Sequence, residues 1–294
     1  MLRESKGGNL FSKFILTLLK LVYVGITFAL RIFLGKKRRL ELYTKKGINF
    51  ADFLYTSIEL LHLDNYVLLV FEMPKYGYRF YSPITRKIPN FLIHDVYASM
   101  ADHERDIVQQ FQPKVGDIVV DIGAAFGFYT ILSAYKVGIR GKVIAIEPDL
   151  KIYKMLKRNI KLNRLTNVSA LNYAAFSKET GLKLYSTYSL LQERAGEIQS
   201  YVKVNANTLD NLLQKNGIRE EQVNWIKIDV EGAEFEVLKG AHNILSKNKD
   251  ITILIEIHGE KNYRLVKDYL TNYNFKIQFE KSYDWGDKHI VVRK

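Results

Sequence analysis

The stretch Asp117–Thr130, Asp-Ile-Val-Val-Asp-Ile-Gly-Ala-Ala-Phe-Gly-Phe-Tyr-Thr, decides the fold of this chain. Its β-branched run ends at Asp121 and is typical of a strand buried on both faces of a parallel sheet. Gly123 and Gly127 follow, and residues 128–137 are predicted to be helical. A strand, a glycine turn and a helix bring backbone N–H groups close to a ligand. Taken alone, the pattern fits any nucleotide site or a plain tight turn.

A second acidic residue, Glu147, favours a ligand-binding site over a plain tight turn. The apolar run Lys142-Val-Ile-Ala-Ile-Glu147-Pro148 predicts another strand, ending in a carboxylate 20 residues after Gly127. Such a carboxylate can accept both ribose hydroxyls of an adenosine cofactor at the switch point of a doubly wound sheet. A dinucleotide site has a glycine two residues after the first one, but Ala125 stands there. The pattern Asp-x-Gly-x-x-x-Gly instead resembles motif I of class I S-adenosylmethionine methyltransferases.

Strands and helices alternate regularly after Asp117, which indicates an α/β fold with a mostly parallel sheet and right-handed crossovers. The predicted strands are 118–121, 142–147, 168–173, 225–229 and 251–257, and the predicted helices are 128–137, 149–163, 233–245 and 261–271. Residues 181–204 predict an antiparallel insertion, and residues 275–292 predict a closing antiparallel hairpin. The expected fold is therefore the Rossmann-like sheet of class I methyltransferases, preceded by an N-terminal apolar helix.

Five titratable residues stand at the ends of predicted strands, and ligands bind beyond the carboxyl ends of such strands. They are Asp121, Glu147, Asp229, Glu231 and His258. Each also has a structural interpretation: Asp229 could cap the next helix, Glu231 could pair with Lys227, and His258 could be a satisfied loop histidine. Because all five fall at one predicted rim, we expect them to form a site.

The same segments resemble the FkbM family of methyltransferases over about residues 100–292. The matching motifs are Asp121–Thr130, Glu147-Pro148, Thr208-Leu-Asp210, Ile226-Lys-Ile-Asp-Val-Glu-Gly-Ala-Glu234 and Glu256-Ile-His258. The family usually has Asn at the position of Ala125. The resemblance implies S-adenosylmethionine-dependent methylation, typically of an oxygen on a sugar, polyketide or related small molecule.

From the motifs and the resemblance together we predict two sets of site residues. The cofactor-binding residues are Asp121, Gly123, Ala124, Gly127, Thr130, Glu147, Pro148 and Asp229, and the catalytic residues are Asp229, Glu231 and His258. Glu231 or His258 would remove the proton of an acceptor hydroxyl, while Asp229 orients the acceptor or the cofactor amine. No metal site is assigned, although the three catalytic residues could also hold a divalent cation.

Residues 10–34 form a strongly apolar segment with a narrow polar stripe. The stripe is Lys13, Thr17, Lys20, Thr27 and Arg31, at helical spacing. A basic run, residues 36–39, follows. We expect this helix to bind a membrane, either lying on it or spanning it, with the main domain in the cytoplasm. It could instead pack on its own domain or on a second subunit. The expected domains are 1–39, an extension over 40–112, and the methyltransferase domain over 113–294.

Composition limits the remaining possibilities. The chain has 294 residues and no cysteine, which excludes disulfides, cysteine-based zinc sites and a cysteine nucleophile. Its net charge of +13 favours an anionic partner such as a membrane or nucleic acid. The basic, aromatic stretch 75–88 supports an RNA methyltransferase as the alternative, but no base-methylating motif or RNA-binding module accompanies it. We therefore expect a small-molecule or glycan acceptor rather than nucleic acid. The sequence predicts no oligomeric state.

Overall fold

The computed structural model describes residues 18, 68–73, 78–83, 105–185, 201–284 and 286–294. The chain divides into two compact units, Met1–Met100 and Ala101–Lys294. The second unit includes residues 101–112, which the sequence analysis assigned to the N-terminal extension. Phe111 lies in this part, and its fully buried ring packs against the rings of Tyr129 and Trp225, with centroids 5.3 and 5.2 Å apart.

The described part of the first unit is a pair of antiparallel strands, β1 (Leu68–Met73) and β2 (Tyr78–Pro83). Strand β2 lies within the basic, aromatic stretch 75–88. Of the predicted N-terminal helix over residues 10–34, the structure describes Leu18 alone, which is helical; the rest lies outside the described residues. Within the part of the chain that is described, no helix combines the length and the apolar character needed to cross a membrane.

The second unit is built on a seven-stranded sheet with a smaller three-stranded sheet. In chain order its strands are β3 (Ile118–Ile122), β4 (Lys142–Ile146), β5 (Val168–Leu171), β6 (Ala174–Ala175), β7 (Thr180–Tyr185), β8 (Tyr201–Asn207), β9 (Val223–Ile228), β10 (Thr252–Ile257), β11 (Lys276–Ser282) and β12 (Lys288–Arg293). The large sheet has the order β11-β12-β10-β9-β3-β4-β5. Its five strands from β10 to β5 are parallel, and β12 is antiparallel to both of its neighbours. The predicted sheet and its closing hairpin are therefore confirmed.

Helices lie between successive parallel strands, before the first of them and after the last. They are α1 (Arg105–Gln110), α2 (Phe128–Val137), α3 (Leu150–Leu162), α4 (Leu209–Lys215), α5 (Glu234–Lys239), α6 (His242–Lys247) and α7 (Glu260–Asn272). From β3 the chain moves outward to β4 and β5, and it later returns to β9 on the other side of β3. The carboxyl ends of β3 and β9 therefore flank the switch point, where open α/β sheets bind ligands.

The prediction of one continuous helix over residues 233–245 was wrong, because the helix is interrupted. Residues 233–245 form two short helices, α5 and α6, separated at Gly240. The Gly240 carbonyl accepts the N–H of Asp210 at 3.1 Å, and a Cβ on Gly240 would lie 2.0 Å from the carbonyl oxygen of Phe176. The Asp210 carboxylate accepts two backbone N–H groups at the start of α6, at 2.8 and 3.2 Å. These tertiary contacts satisfy backbone groups that a continuous helix would otherwise bond internally.

Candidate active site

The turn after β3 lies directly against the end of β9. Gly123 has a φ of +74°, and a Cβ there would lie 1.7 Å from the carbonyl oxygen of Asp229. The N–H of Asp229 in turn donates to the carbonyl of Ile122 at 3.1 Å. No side chain fits between these backbones, so the glycine permits the contact. The two acidic motifs predicted from sequence thus meet at the switch point.

Lys227 joins these motifs through its charge. The side chain is almost fully buried, and its Nζ lies 3.2 Å from Oδ2 of Asp229 and 3.9 Å from Oδ1 of Asp121. It also donates to the carbonyl of Gly123 at 3.4 Å. Burial acts to lower the pKa of Lys227, but the two carboxylates raise it above its usual value. Lys227 is therefore a cation that bridges β3 and β9.

The two aspartates respond differently to this environment. Burial raises the pKa of Asp121, which is fully buried and accepts a hydrogen bond from Thr130 Oγ1 at 2.6 Å. Burial acts in the same direction on Asp229, but the charges of Lys227 and His258 outweigh it and lower its pKa. Thr130, predicted to bind the cofactor, donates this hydrogen bond to Asp121, and its contact with the cofactor stays a prediction. Asp229 stays ionised at neutral pH.

Glu147 lies at the end of β4, next to the glycine turn. Its Oε2 accepts the N–H of Ala125 at 3.0 Å, and its Oε1 accepts the N–H of Asp149 at 2.8 Å. Burial raises the pKa of this carboxyl to about 8, although the two backbone hydrogen bonds oppose the shift. Each oxygen keeps further acceptor capacity, so the position fits the predicted ribose contact.

The other predicted cofactor residues shape the turn. Ala124 is buried against Ala145 and Leu156, and its N–H donates to the carbonyl of Ile146 at 3.0 Å. Gly127 has a φ of +97° at the start of α2. Pro148 accepts a hydrogen bond from Asn172 Nδ2 at 2.8 Å.

Ala125 occupies the position at which the family usually has Asn. Its φ of +47° lies in the left-handed region, which Asn tolerates better than Ala. The local backbone therefore provides a physical reason for Asn there.

Asp229, Glu231 and His258 come together beyond the ends of β9 and β10. One potential ligand atom from each lies within 4.8 Å of the other two. Glu231 has a φ of +54°, which is rare for a residue with a long side chain, and Gly232 follows with a φ of +105°. This left-handed loop places Oε2 of Glu231 3.5 Å from Nε2 of His258. The structure thus brings the three predicted catalytic residues into one cluster.

The contacts of Asp229 and Lys227 differ from the structural interpretations of the sequence, whereas His258 has the fixed partner that its interpretation requires. Asp229 does not cap α5, whose N-terminus has no side-chain cap. Lys227 pairs with Asp229 and Asp121. His258 does have a fixed partner, because its Nδ1 lies 2.9 Å from Oε1 of Glu234. Burial acts to lower the pKa of His258, yet this hydrogen bond and the neighbouring carboxylates raise it to about 10.

Sequence reasoning missed several residues that support the site. Glu234 is fully buried and accepts the N–H of Gly232 at 2.8 Å, and Asn262 also hydrogen-bonds it. Glu256 lies 3.8 Å from His258 and 3.3 Å from His289. One signal was available: charged residues inside the apolar strands β9 and β10, such as Lys227, are seldom buried without a partner. The partner of each buried charge could not be identified from the neighbouring sequence.

The groups at the switch point fit a positively charged cofactor. Asp121, Glu147 and Asp229 supply carboxylates, and the Asp121 oxygen Oδ1 is buried without a hydrogen bond within the described segments. The N–H groups of Gly123 and Ala124 already donate to the carbonyl of Ile146, so they are not available for a phosphate. S-adenosylmethionine carries a sulfonium, an ammonium group and a ribose diol, which suit this set of acceptors. Asp121 and Asp229 would lie near its cationic groups and Glu147 near the ribose.

A comparison with curated protein sequences finds no significant match. Solved structures with a similar fold include a SAM-dependent methyltransferase from Aquifex aeolicus (13% identity, 68% of this chain, 94% of that chain, TM-score 0.44). Another is TYW2 from Pyrococcus horikoshii in complex with MeSAdo (17% identity, 87% of this chain, 83% of that chain, TM-score 0.47). A third is fibrillarin from Aeropyrum pernix with natively bound S-adenosyl-L-methionine (15% identity, 61% of this chain, 67% of that chain, TM-score 0.41).

The model of the methyltransferase FkbM domain matches residues 121–277, which is more than half of the chain. This range contains the glycine turn, the Glu147 strand end and the cluster of Asp229, Glu231 and His258. The protein therefore belongs to the FkbM methyltransferase family and is an S-adenosylmethionine-dependent methyltransferase.

Proposed function

We propose that this enzyme is an O-methyltransferase that acts on a hydroxyl of a sugar, glycolipid or related small molecule. The observation that supports this most directly is the position of Glu231. Its carboxylate lies 3.5 Å from Nε2 of His258 in a left-handed loop, close to Asp229. A hydroxyl acceptor must lose a proton during transfer, and a partly exposed carboxylate at this rim can accept it.

In the proposed reaction, each of the three clustered residues has its own role. S-adenosylmethionine supplies a methyl group already activated on a sulfonium. Glu231 would take the acceptor proton, so that the acceptor oxygen can receive the methyl group. His258 positions Glu231, because both of its ring nitrogens face carboxylates. Asp229 is held by Lys227 and orients the acceptor or the cofactor amine. Alignment of the reacting atoms contributes several kcal/mol, a part of the roughly 7–11 kcal/mol that proximity can supply.

The acceptor class is tested with labelled S-adenosylmethionine on lipid, glycan and RNA fractions of the host. Label in a glycan or glycolipid, stable to treatments that cleave methyl esters, is the expected result. Label in RNA alone would instead support the alternative, an RNA methyltransferase that uses the basic stretch 75–88.

The catalytic assignment is tested with Glu231→Gln. Turnover on the true acceptor should fall by roughly 10²–10⁴-fold, because the general base is lost. Affinity for S-adenosylmethionine, measured by calorimetry, should remain near that of the wild type. Full turnover in this variant would contradict the role of Glu231.

We further propose that the enzyme is cytoplasmic and that residues 10–34 attach it to a membrane surface. The support is the apolar segment itself and the four adjacent cations at 36–39, each of which favours an anionic lipid surface by about 1 kcal/mol. A membrane-attached enzyme would meet lipid-linked acceptors directly.

A further inference from the structure

We propose that Asp229, Glu231 and His258 form a binding site for one divalent metal ion. Two carboxylates and one imidazole converge there, with ligand atoms within 4.8 Å of one another. Two ligand atoms on one cation are at most about 4.4 Å apart, twice a bond of roughly 2.2 Å. Side-chain movements of a few tenths of an ångström, about the difference between these separations, would therefore complete the coordination.

The orientation of His258 is the second observation that points to a cation. The side chain is more than nine-tenths buried, and Nδ1 is engaged by Oε1 of Glu234 at 2.9 Å. Nε2 faces the cluster and makes no hydrogen bond within the described residues, although carboxylate oxygens of Glu231 and Glu256 lie 3.5 and 3.8 Å away. A carboxylate that fixes one imidazole nitrogen while the other points to a metal is the usual outer shell of metal-bound histidine.

Glu234 is itself held rigidly in this role. It is fully buried, accepts the N–H of Gly232 at 2.8 Å, and is hydrogen-bonded by Asn262. Because Gly232 follows Glu231 directly, the same carboxylate fixes both His258 and the loop that carries Glu231. The histidine and the glutamate therefore have a preformed separation rather than a flexible one.

The balance of charge also favours a cation. Glu231, Glu234 and Glu256 all place an oxygen within 4 Å of a nitrogen of His258, so three carboxylates surround one imidazole. Lys227 compensates Asp229 through Oδ2 at 3.2 Å, but it also lies 3.9 Å from Asp121. Glu256 also lies 3.3 Å from His289. Four carboxylates thus face one ammonium group and two imidazoles, and a divalent ion would offset the remaining negative charge.

The donor set indicates the class of metal. Two oxygen ligands and one nitrogen ligand without any thiolate suit Mn²⁺, Mg²⁺ or Zn²⁺ rather than a soft ion such as Cu⁺. Three protein ligands leave coordination positions open. Resting on the function proposed above, an acceptor hydroxyl would occupy such a position and become more acidic, while the uncoordinated oxygen of Glu231 receives its proton.

The test measures metal binding in the absence of any acceptor. Full-length protein is stripped with EDTA, desalted, and titrated calorimetrically with MnCl₂, MgCl₂ and ZnCl₂ in separate experiments. We expect one ion per chain for at least one metal. Glu231→Gln and His258→Gln should each weaken binding by at least about 10-fold, since even outer-shell changes have effects of about 10–100-fold. Glu179→Gln, which alters an exposed carboxylate in the turn before β7, should bind like the wild type.

Folding of each variant is checked by its affinity for S-adenosylmethionine. If His258→Gln fails to fold, Glu231→Gln decides, because Glu231 is partly exposed in a loop. No saturable binding with any of the three metals would overturn the metal site, as would equal binding by both folded variants. That outcome leaves the proposed O-methylation standing, whereas metal binding without label in a hydroxyl acceptor would retain the site and refute the function.

Discussion

At the scale of single residues, Glu147 is both a hydrogen-bond acceptor in the site and a buried acidic group that is costly to ionise. Its two oxygens accept the backbone N–H groups of Ala125 and Asp149 and so hold the turn beside β4, and each oxygen can accept a further hydrogen bond, as the predicted ribose contact requires. Its carboxylate is nearly buried, which makes the charged form unfavourable. The residue thus adds to binding while it opposes ionisation in the folded protein.

Replacing Glu147 with Ala should weaken S-adenosylmethionine binding by a few kcal/mol when measured above pH 8, where the carboxyl is ionised and charge-assisted hydrogen bonds contribute about 1.5–3 kcal/mol each. Isothermal titration calorimetry on wild type and variant measures this difference. Circular dichroism serves as the control for folding. An unchanged affinity in a folded variant would refute the ribose contact.

The raised pKa of Glu147 predicts how stability changes with pH. The carboxyl has a pKa of about 8 when folded, against 4.5 for the ordinary group. The folded state therefore holds the proton between these values, and the free energy of unfolding should fall as pH rises through this window. The fall from this group is up to about 1.4 kcal/mol per pH unit. Urea denaturation from pH 5 to 8 should show a smaller slope for Glu147→Gln; equal slopes would count against the shift.

At the scale of elements, the contact between the β3 turn and the end of β9 joins the two halves of the site. Lys227 holds it electrostatically, and Gly123 permits it sterically. Because β3 and β9 are adjacent parallel strands, displacement of one end moves the cofactor residues relative to the catalytic cluster. We therefore expect the chemistry to depend on this backbone contact between Gly123 and Asp229.

Gly123→Ala should disrupt this approach. The new Cβ would lie 1.7 Å from the carbonyl oxygen of Asp229, at a φ of +74°. Such a clash with backbone should destabilise the protein by roughly 2–4 kcal/mol, in the range of overpacking and backbone strain combined. Denaturant unfolding measures the loss, and cofactor affinity should fall with it. Gly181→Ala is the matched control, because nothing lies within 4 Å of its Cβ; similar losses in both variants would disprove the explanation.

At the scale of the whole molecule, charge and apolar surface are unevenly distributed along the chain. The net charge is +13, and the basic run at 36–39 directly follows the apolar segment 10–34. By contrast, the described site in the second unit is built largely from carboxylates. The anionic partner that the total charge favours is therefore expected at the N-terminal segment rather than at the site.

Deleting residues 1–39 should release the protein from membranes and leave cofactor binding intact. A helix with so narrow a polar stripe would otherwise expose more apolar surface than a soluble monomer tolerates. Flotation with anionic liposomes compares the full-length and truncated chains, with cofactor affinity measured on both. A full-length protein that is monomeric without detergent and fails to float would refute membrane attachment.

The sequence alone was sufficient to predict the parallel sheet. Its buried strands β3, β4, β9 and β10 are local apolar runs, most of which end at or near an acidic residue. It also predicted that Asp229, Glu231 and His258 share one rim, since parallel strands end at the same edge. The hydrogen bond from Thr130 to Asp121 and the packing of Ala124 in the core could not be predicted from the motif, because both depend on how the chain folds.

Only the tertiary structure decided which partners these residues have. Lys227 reaches the carbonyl of Gly123 across 104 residues, Glu234 fixes His258 across 24, and the α5–α6 break depends on Asp210, 30 residues before Gly240. The sequence cannot specify such pairs because propensity and periodicity describe a residue and its near neighbours. A buried charge is stabilised instead by whichever distant group the folded chain brings within a few ångströms of it.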